Sequence, residues 1–134
     1  MGLLLSGAAD VREAIAHDIR LGMGSDWSVY SGPPSNVVAP SIVLTTGSPY
    51  RSASAFRGQQ SMALKATILI SRNTAASILD VFDGIIDDLW EAIVNGSAGA
   101  FVSQVNDVAT SVDVAGIEYF AAILSIETNF SQEG

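Results

Sequence analysis

The chain has 134 residues, of which 49% are hydrophobic, and its formal net charge is −8. With six lysine and arginine residues against fourteen acidic ones, it is a poor candidate for gripping nucleic-acid phosphates, because such binding depends on clustered cations. The absence of cysteine excludes disulfides, a thiolate zinc site and a cysteine nucleophile. The length predicts a single domain over residues 1–134. Its apolar fraction is more than one core of this size readily buries, which favours contacts between subunits.

The first predicted element is a helix, in which Val11, Ile15 and Ile19 repeat at helical spacing until Gly22. Its opposite face carries side chains that we expect in solvent: Arg12, Glu13, Asp18 and Arg20. Two short β-rich runs follow, Trp27-Ser28-Val29-Tyr30 and residues 41–46. Each is bounded by glycine or proline, and each predicts a strand.

A long hairpin arm is predicted over residues 47–60, between the strand at 41–46 and a half-exposed strand at 62–70. Glycine, serine and proline predict an irregular connection, and so long a connection is typical of a functional or a solvated loop. The arm holds two aromatic and two arginine side chains, the types that commonly dominate interfaces. These candidate interface residues are Tyr50, Arg51, Phe56 and Arg57.

The second predicted helix begins at a cap on Asn73 or Thr74 and ends at Asn95-Gly96. Its apolar residues form one wide, continuous stripe: Ile78, Leu79, Phe82, Ile85, Ile86, Leu89, Trp90, Ile93 and Val94. Its polar residues are acidic, without a lysine or arginine among them: Asp80, Asp83, Asp87, Asp88 and Glu91. This face has three interpretations: a solvated surface, a lumen wall that repels DNA phosphates, or a docking face for a basic partner.

The chain closes with predicted strands at residues 100–108 and 112–128 and a frayed tail at 129–134. Gly116 marks a bulge or bend. The last strand is apolar on both faces, which predicts helices on one face and a neighbouring subunit on the other. The fold class is therefore α+β, with a mixed or antiparallel sheet of four to five strands and two helices packed on one face.

No catalytic, cofactor or metal site is predicted, and we expect no enzyme activity. The acidic run Asp87-Asp88-Leu89-Trp90-Glu91, with Asp83 one turn earlier, offers oxygen ligands for Mg²⁺, but no second element is equally acidic. His17 has no recognisable nucleophile to serve. The chain also lacks an uninterrupted apolar run that would predict a transmembrane segment.

The layout as a whole resembles the small tail terminator proteins of long-tailed phages, especially those of actinobacterial hosts. The resemblance covers nearly the full chain. It rests on the helix at residues 11–21, Trp27-Ser28-Val29-Tyr30 with Gly32-Pro33-Pro34, Pro40-Ser41-Ile42-Val43-Leu44 with Gly47-Ser48-Pro49-Tyr50, the helix at 75–94, and Gly116-Ile117-Glu118-Tyr119-Phe120-Ala121-Ala122.

The resemblance implies a virion protein that forms a hexameric ring at the head-proximal end of the tail tube. Such a ring ends tube polymerisation, contacts the tail tube protein and the head connector protein, and lets DNA pass through its lumen without specific binding. Assembly would take place in the host cytoplasm. Two alternatives stay open: another tier of the neck or head–tail connector, and a small dimeric cytosolic adaptor domain that pairs through its last strand.

We predict that Phe56→Ala weakens assembly without unfolding the subunit, because the arm side chain would bind a neighbour. Native mass by light scattering and thermal unfolding of the same variant measure the two effects. A Phe56→Ala protein that assembles and joins heads normally would rule out the arm hypothesis.

Overall fold

The computed structural model describes residues 8–32, 34, 37–53, 59–72 and 77–131. In order, these parts of the chain form α1 (Ala8–Met23), β1 (Ser28–Tyr30), β2 (Ser41–Ala53), β3 (Gln59–Ser71), α2 (Ile78–Val94), β4 (Phe101–Val114) and β5 (Ile117–Ser131). The strands lie in one sheet in the order β1-β2-β3-β5-β4. The pair β1 and β2 is parallel and the other pairs are antiparallel. The predicted α+β class, with a mixed sheet and two helices, is confirmed.

Both helices contribute to one large core on the same face of the sheet, which we call the helical face. The helices bury Val11, Ile15 and Ile19 from α1, and Phe82, Ile86, Leu89 and Ile93 from α2. Alternate strand residues point to opposite faces, so the even-numbered residues of β2, β3 and β5 meet the helices. These include Ile42, Leu44, Leu64, Ala66, Ile68, Ala122, Leu124 and Ile126.

The odd-numbered residues of the same strands form a smaller cluster on the opposite, outer face. Val43, Leu69, Tyr119 and Ala121 are buried there. The cover comes partly from the chain itself, since Tyr30, Val37 and Ala39 pack against this cluster. The prediction that both faces of the last strand are apolar is confirmed. That a neighbouring subunit covers the outer face stays a prediction.

The irregular arm predicted from residue 47 onward is wrong for residues 47–53, which continue β2. A bulge lies between Thr46 and Arg51, after which Arg51 pairs with Met62 and Ala53 with Gln60. A Cβ on Gly47 would lie 2.9 Å from the Ala63 Cβ, so the close approach of the two backbones requires glycine. Pro49 is tolerated because a bulge needs no ladder donor at every residue. The loop-forming residues therefore mark a bulge inside a long strand.

The frayed tail predicted from residue 129 is also wrong for its first residues. Asn129, Phe130 and Ser131 pair with the start of β3, which is long enough to supply them with hydrogen-bonding partners. Residues 132–134 lie outside the described residues. Residues 112–114 belong to β4, and a two-residue turn at Ala115 and Gly116 then leads into β5. Both turn residues have positive φ, as a tight hairpin requires, so the predicted bend at Gly116 is confirmed.

Two helical glycines allow a matched test of the contact between α1 and α2. A Cβ on Gly22 would overlap the Cβ of Ala92, whereas a Cβ on Gly84 would meet nothing within 4 Å. We expect Gly22→Ala to lower the free energy of unfolding by about 1–3 kcal/mol through overpacking. Gly84→Ala should raise it by about 0.5–1 kcal/mol through helix propensity. Urea unfolding midpoints compare the two, and equal stabilisation by both would show that the helices separate freely.

Candidate functional site

Two of the four candidate interface residues in the predicted arm, Tyr50 and Arg51, are described, and both are held by their own subunit. The hydroxyl of Tyr50 accepts a hydrogen bond of 3.1 Å from Arg12 on α1, and the ring packs against the main core. Arg51 donates from Nε and Nη2 to the side-chain oxygen of Gln60, at 3.0 and 2.8 Å. Tyr50 therefore fixes the hairpin to α1, while Arg51 ties β2 to β3.

The remaining predicted arm residues, Phe56 and Arg57, lie outside the described residues. The strand that leads to them is exposed at Arg51, Ser52 and Ala53. We call these three residues the hairpin end. It is the part of the predicted arm that the fold presents to other molecules.

The five predicted acidic side chains all lie on α2 and are all exposed: Asp80, Asp83, Asp87, Asp88 and Glu91. Within the described part of the chain, none of them is engaged in a hydrogen bond or an ion pair. Several are three or four residues apart, where like charges on a helix repel each other. Glu91 lies in the last turn, which has no basic residue and where the helix dipole favours cations. Asp80 lies in the first turn, where the helix dipole favours an anion, so the electrostatic cost falls on the carboxylates after it.

Three large apolar side chains of α2 are exposed, which the sequence did not indicate. Leu79, Trp90 and Val94 belong to the predicted apolar stripe, and 56%, 40% and 54% of their respective surfaces are accessible. The fully covered part of α2 is narrower and consists of Phe82, Ile86, Leu89 and Ile93. The apolar stripe that the sequence predicts is therefore wider than the part of α2 that the subunit buries.

A groove of about 540 Å³ lies between α1 and α2, with His17, Asp88 and Glu91 among its lining residues. Asp18 forms part of its floor and is only 7% exposed, so its predicted position on a solvated face is wrong. Its carboxylate accepts hydrogen bonds from the Ala98 backbone N–H at 3.0 Å and from the Ser97 hydroxyl at 3.2 Å. A Cβ on Gly96 would overlap Asp18, so glycine permits this contact. Asp18 thus fixes the loop after α2.

Among the described residues, no group of three or more histidine, aspartate or glutamate side chains is arranged to hold a metal ion. None of the helices in the described parts of the chain is long and apolar enough to cross a membrane. Tyr50 and Arg51 lie on β2 and the predicted acidic residues lie on α2, and the structure does not assemble these residues into one site.

We predict that Asp18→Ala lowers the free energy of unfolding by about 1–3 kcal/mol, because it leaves the buried Ala98 N–H without an acceptor. Asp26→Ala, in an exposed turn, is the matched control and should change stability by less than about 0.5 kcal/mol. Urea unfolding measures both variants. Equal stability of the two would show that the loop after α2 does not depend on Asp18.

The sequence matches no protein-family profile and no curated protein. A function for this chain is therefore inferred from the layout of its sequence and from three surfaces of the fold. These are the outer face of the sheet, the hairpin end and the exposed side of α2.

Proposed function

We propose that this chain is a structural subunit that forms a closed ring, of the kind that ends the tail tube of a long-tailed phage and joins it to the head connector. The resemblance of the sequence layout to tail terminator proteins supports this proposal, and the α+β fold is compatible with it. The ring acts by shape and closure, with no chemical step.

The observation that carries the proposal is an apolar patch on the outer face, at the turn between β4 and β5. Val112 and Val114 are half-buried against the outer cluster, and Ile117, opposite Val114 in the ladder, is 57% exposed. We call these three residues the outer patch. Burying apolar surface of this kind is the main driving force of subunit association. The patch is therefore a surface for a neighbouring subunit.

Ring closure needs two different contact surfaces on each subunit, because each neighbour is met from a different side. The outer patch supplies one of them. The hairpin end supplies the second, since its exposed residues lie on β2 and lead into the predicted arm. In this arrangement the hairpin end of each subunit contacts the outer patch of the next subunit, head to tail. The ring closes when the rotation from subunit to subunit completes a circle.

The free edge of β4 favours a ring over a symmetric dimer built by continuous strand pairing. Its ladder with β5 is interrupted at three places between Val102 and Thr110, and Ala109 has a φ of 59°. Bulges of this kind twist an edge strand and prevent another chain from extending the sheet along it. Association through side chains is thus favoured over strand addition at this edge.

We predict that Ile117→Asp prevents ring formation while leaving the subunit folded, because a carboxylate cannot be buried unpaired in an apolar contact. Leu21→Asp is the matched control, since Leu21 is also exposed, at 72%, but lies at the end of α1. Native mass by light scattering, alone and with tail tube protein added, follows assembly, and negative-stain images identify rings.

In these experiments the wild type and Leu21→Asp should form the same ring, alone or on tube ends, and Ile117→Asp should stay monomeric. If Ile117→Asp assembles as the wild type does, the outer patch is not the contact. If the wild type forms a stable dimer that does not bind tube protein, the ring proposal is wrong and the adaptor alternative is favoured.

A further inference from the structure

The open side of α2 combines apolar and acidic side chains in one strip. Leu79, Asp83, Asp87, Trp90 and Val94 fall within about 80° of the helix circumference at 100° per residue. We call these five residues the α2 flank. Ala92, which meets Gly22 of α1, lies on the far side of the helix from Asp83, so the flank faces away from α1.

Along the flank, two carboxylates lie between one exposed apolar side chain and two others. Leu79, Trp90 and Val94 are the three exposed large apolar side chains of this helix, and the two aspartates lie between them. A depression of about 430 Å³ is lined by Asp87, Trp90, Glu91 and Val94. A wall that only repels DNA phosphates needs no exposed tryptophan, whereas tryptophan is enriched at the centres of protein interfaces. The composition therefore favours a protein partner at this surface.

The charges of the flank disfavour a second copy of this chain as that partner. Most of the described basic side chains already donate hydrogen bonds within the subunit. These pairs are Arg12 with Tyr50, Arg20 with the Val29 carbonyl, Arg51 with Gln60, and Arg72 with Glu118. Lys65 lies on the outer face of the sheet, across from α2, and Arg57 lies outside the described residues.

A second copy would thus bring few available cations to the five carboxylates of α2. The complementary surface must carry several lysine or arginine side chains among apolar ones. An amphipathic helix with one apolar face and one basic face meets this requirement. Such a helix lies along another helix with its apolar side chains in contact. The flank is about 22 Å long, from Leu79 to Val94, which matches a partner helix of about fifteen residues.

We propose that the α2 flank is a docking surface for a basic amphipathic helix of a different protein. The partner's apolar side chains contact Leu79, Trp90 and Val94, and its cations face Asp83 and Asp87. A lysine or arginine over the indole of Trp90 adds a cation–π contact. Binding removes the repulsion between the carboxylates, which gives the acidic face of α2 a role.

The test uses a sixteen-residue lysine–leucine peptide with leucine at helical spacing on one face, titrated into the full chain carrying Trp27→Phe. Emission then reports Trp90, and we expect a saturable blue shift that weakens as salt is raised. Calorimetric titrations then compare the wild type with two variants that keep Trp27. Trp90→Ala and the double variant Asp83→Asn/Asp87→Asn should each bind the peptide about tenfold or more weakly than the wild type. Thermal unfolding verifies that each variant is folded.

Matched controls change the same chemistry elsewhere on the molecule. Leu21→Ala removes an exposed apolar side chain near the end of α1, and Asp26→Asn/Asp107→Asn removes two exposed carboxylates. Both should bind the peptide as the wild type does. A peptide of the same composition with its leucines spread around the helix should bind at least tenfold more weakly.

Three results would overturn the docking surface: no saturable binding by the wild type, equal weakening by the control variants, or equal binding of the two peptides. The last would show that net charge alone attracts the peptide, and the acidic face would return to the lumen interpretation. The docking surface does not depend on ring formation. Ile117→Asp tests the ring and leaves the flank intact, whereas Trp90→Ala tests the flank and leaves the outer patch intact.

Discussion

The packing of two helices on one face of the sheet decides which apolar side chains of this subunit stay uncovered. Strand β5 is apolar on both faces, but α1 and α2 cover only its even-numbered side. The outer side has partial cover from Tyr30, Val37 and Ala39. Ile117 therefore stays accessible beside a buried cluster, and its burial requires another molecule.

The apolar period of α2 correctly predicts the helix and its buried centre, because Phe82, Ile86, Leu89 and Ile93 recur on one face. Periodicity does not indicate which side of the helix a neighbouring element covers. The contact between Gly22 and Ala92 places α1 on one side of α2, and Trp90 on the opposite side stays exposed. This exposure follows from tertiary packing, and no local pattern in the sequence encodes it.

Two other differences from the sequence predictions have the same cause. Gly47 and Pro49 are typical of loops and of bulges alike, and only the pairing with β3 decides between these structures. The helical periodicity places Asp18 on the solvent-exposed side of α1. Its hydrogen-bond donor, the backbone N–H of Ala98, lies eighty positions further along the chain. In both cases the deciding partner is distant in sequence, whereas propensity and periodicity describe neighbours.

The outer patch and the α2 flank differ in chemistry, and this difference is the reason that we propose a different kind of partner for each. The outer patch consists of aliphatic side chains, so its association depends on apolar burial, which added salt does not screen. The α2 flank combines apolar groups with carboxylates that lack described counter-ions, so its association includes an electrostatic part that salt weakens. Copies of one acidic chain repel each other at such a flank but not at the aliphatic patch. Self-assembly is therefore favoured at the outer patch, and a basic partner at α2.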